Sequence, residues 1–277
     1  MSFGACLVNF SQMSDPENSK DPGIEVRTYF ARGRNALVVR AEFSELYAAL
    51  YLHRLDCGNH PEAASDQLLR DALAAVTLHS ASRPWNEMVA WTVNFQTPLS
   101  NVFVSGNNRL GTVVGNVFTE NVKAAPKSLF YADTVTESLP PRRSVIEFSG
   151  QSFLSAVETF YLQSEQRPAR FFRYDEEDLV MVMAQPDADL LWMKSLDEEA
   201  IRRLDKDVEL GLLESRRYRF ECGCDQNQML AMLAPVMRNQ PDDLFQGEET
   251  IRIHCPRCGA RHIVTRESLE AYLASQS

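Results

Sequence analysis

An α+β fold with a separate metal-bearing tail is predicted by three features of the sequence. Stretches free of Gly and Pro carry apolar residues at helical spacing, and they interleave with short runs that alternate every second residue. Four of the six cysteines fall in two close pairs near the C-terminus. Together these predict an N-terminal domain of mixed sheet and helix over 23–185, a charged helical linker over 186–219 and a small zinc-binding domain over 220–277.

The first 22 residues read as a polar extension. Lys20 is their only basic residue, no apolar run follows a basic start, and Asp15, Glu17 and Asp21 are unlike an Arg-rich transit peptide. No targeting signal is expected, and the protein is expected in the cytoplasm.

Phe43, Leu46, Tyr47 and Leu50 share adjoining helical faces and predict a short helix over Phe43–Leu52. A longer amphipathic helix follows between Glu62 and Ser82, built on Leu68, Leu69, Leu73, Val76 and Leu78, with Ser65 or Asp66 as candidate caps. Val89, Trp91, Val93 and Phe95 alternate with Met88, Ala90, Thr92 and Asn94, the signature of a half-buried strand. Further strands are expected at Asn101–Val104, Gly111–Phe118, Ser128–Val135 and Ser144–Phe148, separated by turn residues such as those at 106–108 and 140–141. Ser152 then caps a helix with Phe153, Val157, Phe160 and Tyr161 on one face, and Pro168 ends it. Ala169–Arg173 and Leu179–Ala184 read as strands around the acidic turn 175–178. From Gln185 to Arg219 charge dominates, and Leu190, Trp192, Leu196, Ile201, Leu204 and Leu210 are scattered apolar anchors, the pattern of a charged helical linker.

The chain of 277 residues carries 38 acidic against 28 basic side chains, a formal charge of -10 that disfavours a nucleic-acid coat. No run approaches the roughly 18 apolar residues of a membrane helix. Neither a Gly-rich phosphate loop nor a Ser nucleophile elbow occurs, nor a His-Glu-x-x-His pair, so no enzymatic activity is expected. Glu176-Glu177 and Glu198-Glu199 read as solvated charge. Most of the methionines at 181, 183, 193, 229, 232 and 237 are expected in core packing, although a Met-rich surface could also adapt to varied partners.

Cys222-Gly223-Cys224 and Cys255-Pro256-Arg257-Cys258 are separated by 30 residues. Each pair can present two sulfurs from one tight turn, which suits tetrahedral thiolate coordination of one Zn2+. Residues 226–238 read as a helix between the pairs, Arg261–Val264 as a strand after them, and Gly259 suits a turn with a positive backbone angle. Four protein ligands leave no open position for zinc catalysis. Buried structural thiols and a redox dithiol are the competing readings. The Cys-x-x-Cys pair, however, runs into Gly259 and a strand-like segment instead of opening a helix that would lower a thiol pKa. His254 and His262 flank the second pair and are expected beside the metal shell or on the surface, not as ligands. Basic and acidic residues balance from Ser215 to Ser277, at eight each, so a zinc ribbon binding RNA or DNA is the weaker alternative. Cys6 and Cys57 stand outside the pattern, Cys57 close to a loop signalled by Gly58-Asn59-His60-Pro61.

The cysteine pattern resembles that of the heat-shock protein 33 family of redox-regulated holdase chaperones. Ser164–Arg170 is similar to that family's helix-to-strand junction, the preceding Phe160-Tyr161-Leu162 to the end of its helix, and the helix with Leu68-Leu69 and Ala74-Ala75-Val76 to an early core helix. The similarity spans most of 24–274, strongest at the C-terminus and weaker between 85 and 150. The resemblance implies an ATP-independent holdase for unfolded proteins, with Cys222, Cys224, Cys255 and Cys258 on zinc in the reduced state. Oxidation would pair Cys222 with Cys224 and Cys255 with Cys258, release the zinc, and unfold the tail with its linker. It further implies a homodimer as an oxidised form. One departure is visible: only 35 residues lie between Pro186 and Cys222, as if one linker helix were missing. A constitutive holdase with a purely structural zinc site is the corresponding alternative.

Overall fold

The computed structural model describes residues 22–58, 61–137 and 139–276, with backbone alone at 241 and 242. The N-terminal extension up to residue 21, Cys6 included, lies outside the described residues. The described residues divide into two compact units, one drawing on the chain up to Leu50 and on Pro61–Glu221, the other on the stretch from Tyr51 and on the chain from Cys222 onward.

The first unit runs β1 (Ile24–Ala31), β2 (Ala36–Glu42), α1 (Ser44–Cys57, which crosses the division after Leu50), α2 (Ala63–Ala81), β3 (Glu87–Gln96), β4 (Leu99–Asn107), β5 (Thr112–Phe118), β6 (Ser128–Thr136), β7 (Arg142–Phe148), α3 (Phe153–Gln163), β8 (Ala169–Arg173), β9 (Asp178–Ala184), α4 (Leu190–Ser195), α5 (Glu198–Arg202), α6 (Leu204–Asp207) and β10 (Leu210–Phe220). Its strands form one sheet of ten, in the order β7-β6-β3-β4-β5-β10-β1-β2-β9-β8.

The burial pattern explains the sequence pattern. Strand β3 alternates buried and half-buried residues along its whole length, as expected of a strand with one face on the core. Strand β9 is buried at every position, because its half of the sheet is covered on both faces. One face joins the main core with α2 and α3, through Val39, Met181 and Met183. On the other, Tyr29, Val38, Val180 and Val182 meet Met193, Leu196, Ile201 and Leu204 from the short helices α4–α6. Helix α2 lies close on the sheet where glycine permits it: a Cβ at Gly106 would collide with Ser80 Oγ, and one at Gly115 would come within 2.7 Å of Val104 Cγ1 and 3.0 Å of Leu69 Cδ1. Ser152 accepts from Ser155 N as the cap of α3, and Phe160 stacks on Phe130 at 5.0 Å. Neither Ser65 nor Asp66 caps α2, which starts at Ala63; Asp66 instead accepts from Arg70 at 2.7 Å.

The segment expected to be wholly helical is helical only as far as Asp207. Leu210–Phe220 is a strand, and it joins the two halves of the sheet. It runs antiparallel to β1 from Tyr218 opposite Ile24 to Leu210 opposite Ala31, with a bulge where Thr28 and Tyr29 face Glu214 and Leu212. It then runs parallel to β5 at Arg219 and Phe220. Its charges conceal its burial. Arg216 donates to the carbonyl of Arg83 at 2.7 Å and lies over the Trp85 ring at 4.2 Å, and Tyr218 donates to Asn108 Oδ1 at 2.8 Å. Asn108 in turn donates to the carbonyls of Ser80 and Pro84, both at 2.8 Å, fastening β10 to the end of α2.

Strands β1 and β2 escape period counting for a related reason. Arg27 and Arg40 occupy buried positions there, Arg27 against Glu25 and Arg40 in a bidentate pair with Asp178 at 2.6–3.1 Å. Burial pushes the Asp178 carboxyl upward, and Arg40 opposes that shift.

The second unit contains α7 (Gln226–Asn239), α8 (Pro241–Phe245), β11 (Thr250–His254), β12 (Arg261–Thr265) and α9 (Arg266–Ser275). Its buried core is small: Met229, Leu230, Met237, Phe245, Val264 and Leu269. The methionines at 181, 183, 193, 229 and 237 are buried, while Met232 is exposed.

Candidate metal centre

Two turns build the site. In the first, Gly223 takes a φ of 67° between Cys222 and Cys224, and Gln228 Nε2 donates to its carbonyl at 3.1 Å. Asp225 then caps α7 by accepting from Gln228 N at 2.8 Å. In the second turn, Cys255 N donates to the carbonyl of Ala260 and Gly259 N to that of Cys255, both at 2.8 Å, with Gly259 at a φ of 77°. This knuckle closes the hairpin of β11 and β12, in which His254 faces Arg261 and Ile253 faces His262. Gln226 Nε2 donates to the carbonyl of Ile263 at 2.9 Å and holds the start of α7 to β12.

The four sulfurs converge so that all lie within 4.8 Å of one another, with Cys222 to Cys255 at 3.7 Å and Cys224 to Cys258 at 3.6 Å. Four sulfurs held about 2.3 Å from a common zinc in a tetrahedron sit roughly 3.8 Å apart. The donor set and its spacing therefore fit a tetrahedral thiophilic cation. Charge points the same way. Hydrogen bonds from neighbouring thiols, Cys258 foremost, pull the Cys222 thiol down to about 5. Burial pushes Cys224 up to about 12. Cys258 is also raised, because its S–H is committed to Cys222 and because it is buried. Thiols this crowded resist ionising together until a cation is shared among them.

Cys255 and Cys258 are buried; Cys222 and Cys224 are half-buried. Cys258 Sγ accepts from Ala260 N at 3.4 Å, and Cys224 Sγ lies 3.5 Å from His262 Nε2. His254 is exposed on β11. The Cys255–Cys258 turn leads through Gly259 to β12 and not into a helix, unlike a thioredoxin-type pair.

Two further residues belong to this unit. His53 lies 3.0 Å from the carbonyl of Cys258, and because a carbonyl only accepts, Nε2 carries the proton. Cys57 Sγ is 3.6 Å from the same nitrogen. The i,i+4 spacing of His53 and Cys57 was the only trace of this arrangement in the sequence.

Among the described residues no helix is long and apolar enough to cross a membrane.

The family model described as Hsp33 protein matches residues 173–265, a span from the end of β8 through all four cysteines. The 33 kDa chaperonin of Edwardsiella ictaluri is 24% identical over 270 residues, covering 86% of this chain and 92% of that protein. That of Salmonella typhi is 23% identical over 241 residues, covering 76% and 82%. The crystal structure of the 33 kDa chaperonin of Thermotoga maritima, a heat shock protein 33 homologue, superposes with a TM-score of 0.69 at 12% identity, covering 92% of this chain and 99% of that one, and so shares the fold. The cysteine cluster lies inside the matched span and the likeness to the chaperonins runs along most of the chain, so the protein is similar to the Hsp33 chaperones in its C-terminal sequence and in its fold.

Proposed function

We propose that the chain is a cytoplasmic, ATP-independent holdase for unfolding proteins, switched on by oxidation of a zinc centre at Cys222, Cys224, Cys255 and Cys258. The convergence of the four sulfurs within 4.8 Å carries this reading. Zinc bound there supplies structural cross-linking and keeps the thiols deprotonated. A hydroperoxide takes one thiolate to a sulfenic acid, and a second thiolate displaces hydroxide to close a disulfide. The disulfides join Cys222 with Cys224 and Cys255 with Cys258, and neither pair then offers two thiolates to the metal. Cys222, Cys224, Cys255 and Cys258 would then no longer hold their one zinc per chain, and the small core of the second unit would lose its cross-link. Client-binding surface becomes available, and a homodimer is the oxidised assembly. Balanced charge in the tail speaks against nucleic acid as the partner, and the filled ligand set against hydrolytic catalysis.

The helices α4–α6 support the idea of releasable surface. They are six, five and four residues long, too short to be stable alone, and they cover an apolar sheet face. A second reading, a constitutive holdase with structural zinc, is favoured by β10, which ties the chain just before Cys222 into the ten-stranded sheet. Peroxide with mild heat, followed by a metal-sensitive dye and by light scattering of an aggregating client, separates the two. Zinc release accompanied by rising suppression supports the switch. Zinc release with unchanged suppression supports the constitutive reading.

A further inference from the structure

We propose that His262 is a positioning residue of the sulfur cluster: its Nε2–H donates to Sγ of Cys224 and slows closure of the Cys222–Cys224 disulfide while leaving Cys255 and Cys258 unaffected. This role in oxidation rests on the redox reading above; the hydrogen bond itself does not.

The two half-buried sulfurs, Cys222 and Cys224, are those a dissolved oxidant reaches most readily. The ring nitrogen of His262 lies 3.5 Å from Sγ of Cys224. A metal-held sulfur has no proton to give, so the imidazole is the donor, which fixes its tautomer. The ring is carried by β12, where His262 pairs in register with Ile253 of β11, so a strand and not a loose loop aims it. Cys258, by contrast, receives a backbone N–H from Ala260. The donor on Cys224 is therefore a side chain, and substitution can remove it without altering the knuckle.

A hydrogen bond to a thiolate draws charge from sulfur and lowers its nucleophilicity. Closing this disulfide takes two steps. A thiolate attacks the hydroperoxide and becomes a sulfenic acid, with water or an alcohol leaving after protonation. The partner thiolate then attacks that sulfur and expels hydroxide. Overall, two thiolates, one hydroperoxide and two protons give one disulfide, one water and one further water or alcohol. Cys224 acts as nucleophile in one step or the other, so the hydrogen bond retards closure whichever sulfur is oxidised first.

The test uses the full-length zinc-loaded chain with His262→Phe, which removes the donor, and His262→Gln, which retains an N–H. Brief iodoacetamide labelling without oxidant, read at each cysteine by peptide mass spectrometry, is expected to show Cys224 labelled several-fold faster in the Phe variant. The Gln variant should stay near wild type, and labelling of Cys222, Cys255 and Cys258 should not change. Unchanged Cys224 labelling overturns the inference. So does parallel acceleration at all four cysteines, or failure of the Phe variant to give the tetrahedral absorption of a cobalt-substituted site, since each would mark His262 as a packing residue. A second arm adds hydrogen peroxide: Cys222–Cys224 closure should quicken in the Phe variant, and an equal rate in both proteins overturns the rate claim. If Cys224 labelling quickens but neither protein forms a disulfide, the hydrogen bond stands and the redox reading fails.

Discussion

Removal of the zinc proposed for the four-cysteine site should unfold the second unit while the ten-stranded sheet persists. The six side chains of the unit's buried apolar cluster, Met229, Leu230, Met237, Phe245, Val264 and Leu269, contribute about 1.5–3 kcal/mol each, or roughly 9–18 kcal/mol together. A structural zinc in a four-ligand site contributes about 10–16 kcal/mol. The proposed metal would thus be worth about as much as that whole buried core, and about as much as the roughly 5–15 kcal/mol by which ordinary domains are stable. Substituting all four cysteines by serine, or treating the chain with a strong chelator under reducing conditions, removes this contribution. Hydrogen exchange read by mass spectrometry should then show loss of protection over β11, β12 and α7, with β3 and β9 unchanged. If β11 and β12 keep their protection in material shown by elemental analysis to be metal-free, the reasoning from core size to metal dependence is refuted.

Other outcomes follow from particular contacts in the first unit. Arg40→Met strands the Asp178 carboxylate in a site where both side chains are nearly sealed, and should cost about 3–5 kcal/mol in a denaturant titration; combining it with Asp178→Leu should recover most of the loss. His79 is fully buried, 2.6 Å from the Tyr161 hydroxyl, and burial holds its pKa well below the ordinary value. The unfolded chain therefore binds a proton that the native chain refuses. Stability should fall as pH drops below about 6.5, by up to roughly 1.4 kcal/mol per unit, and comparing His79→Gln with wild type between pH 7 and 5 isolates that slope. Ile201→Ala empties a sealed position between α5 and the sheet and should cost about 2–5 kcal/mol, seen as faster proteolysis within 190–207.

Much of the architecture is present in the residue pattern because local periodicity and one-sided burial coincide. Strand β3 and helix α3 each turn a single apolar face to the core, so counting residues locates them. The four-cysteine cluster was equally legible, since two short turns bearing two sulfurs each have few other uses. Where the structure compensates buried charge, the pattern fails. Arg27 and Arg40 interrupt β1 and β2, and Arg216 sits inside β10 because the carbonyl of Arg83 and the Trp85 ring receive it. Strand β11 and helix α9 were also unreadable, one alternating only between exposed and half-buried residues and the other burying Leu269 alone.

The sequence by itself determined the element types over most of the core and which four cysteines gather into one cluster, because backbone periodicity and turn chemistry are local properties. Only the tertiary structure decided that Leu210–Phe220 is a strand joining two half-sheets, that α4–α6 form a second layer on β9, and that His262 and His53 reach the cysteine turns. Each of these depends on partners distant along the chain. The stabilising groups, a neighbouring strand edge, a backbone carbonyl or a thiolate, exist at the right place only once the chain has folded.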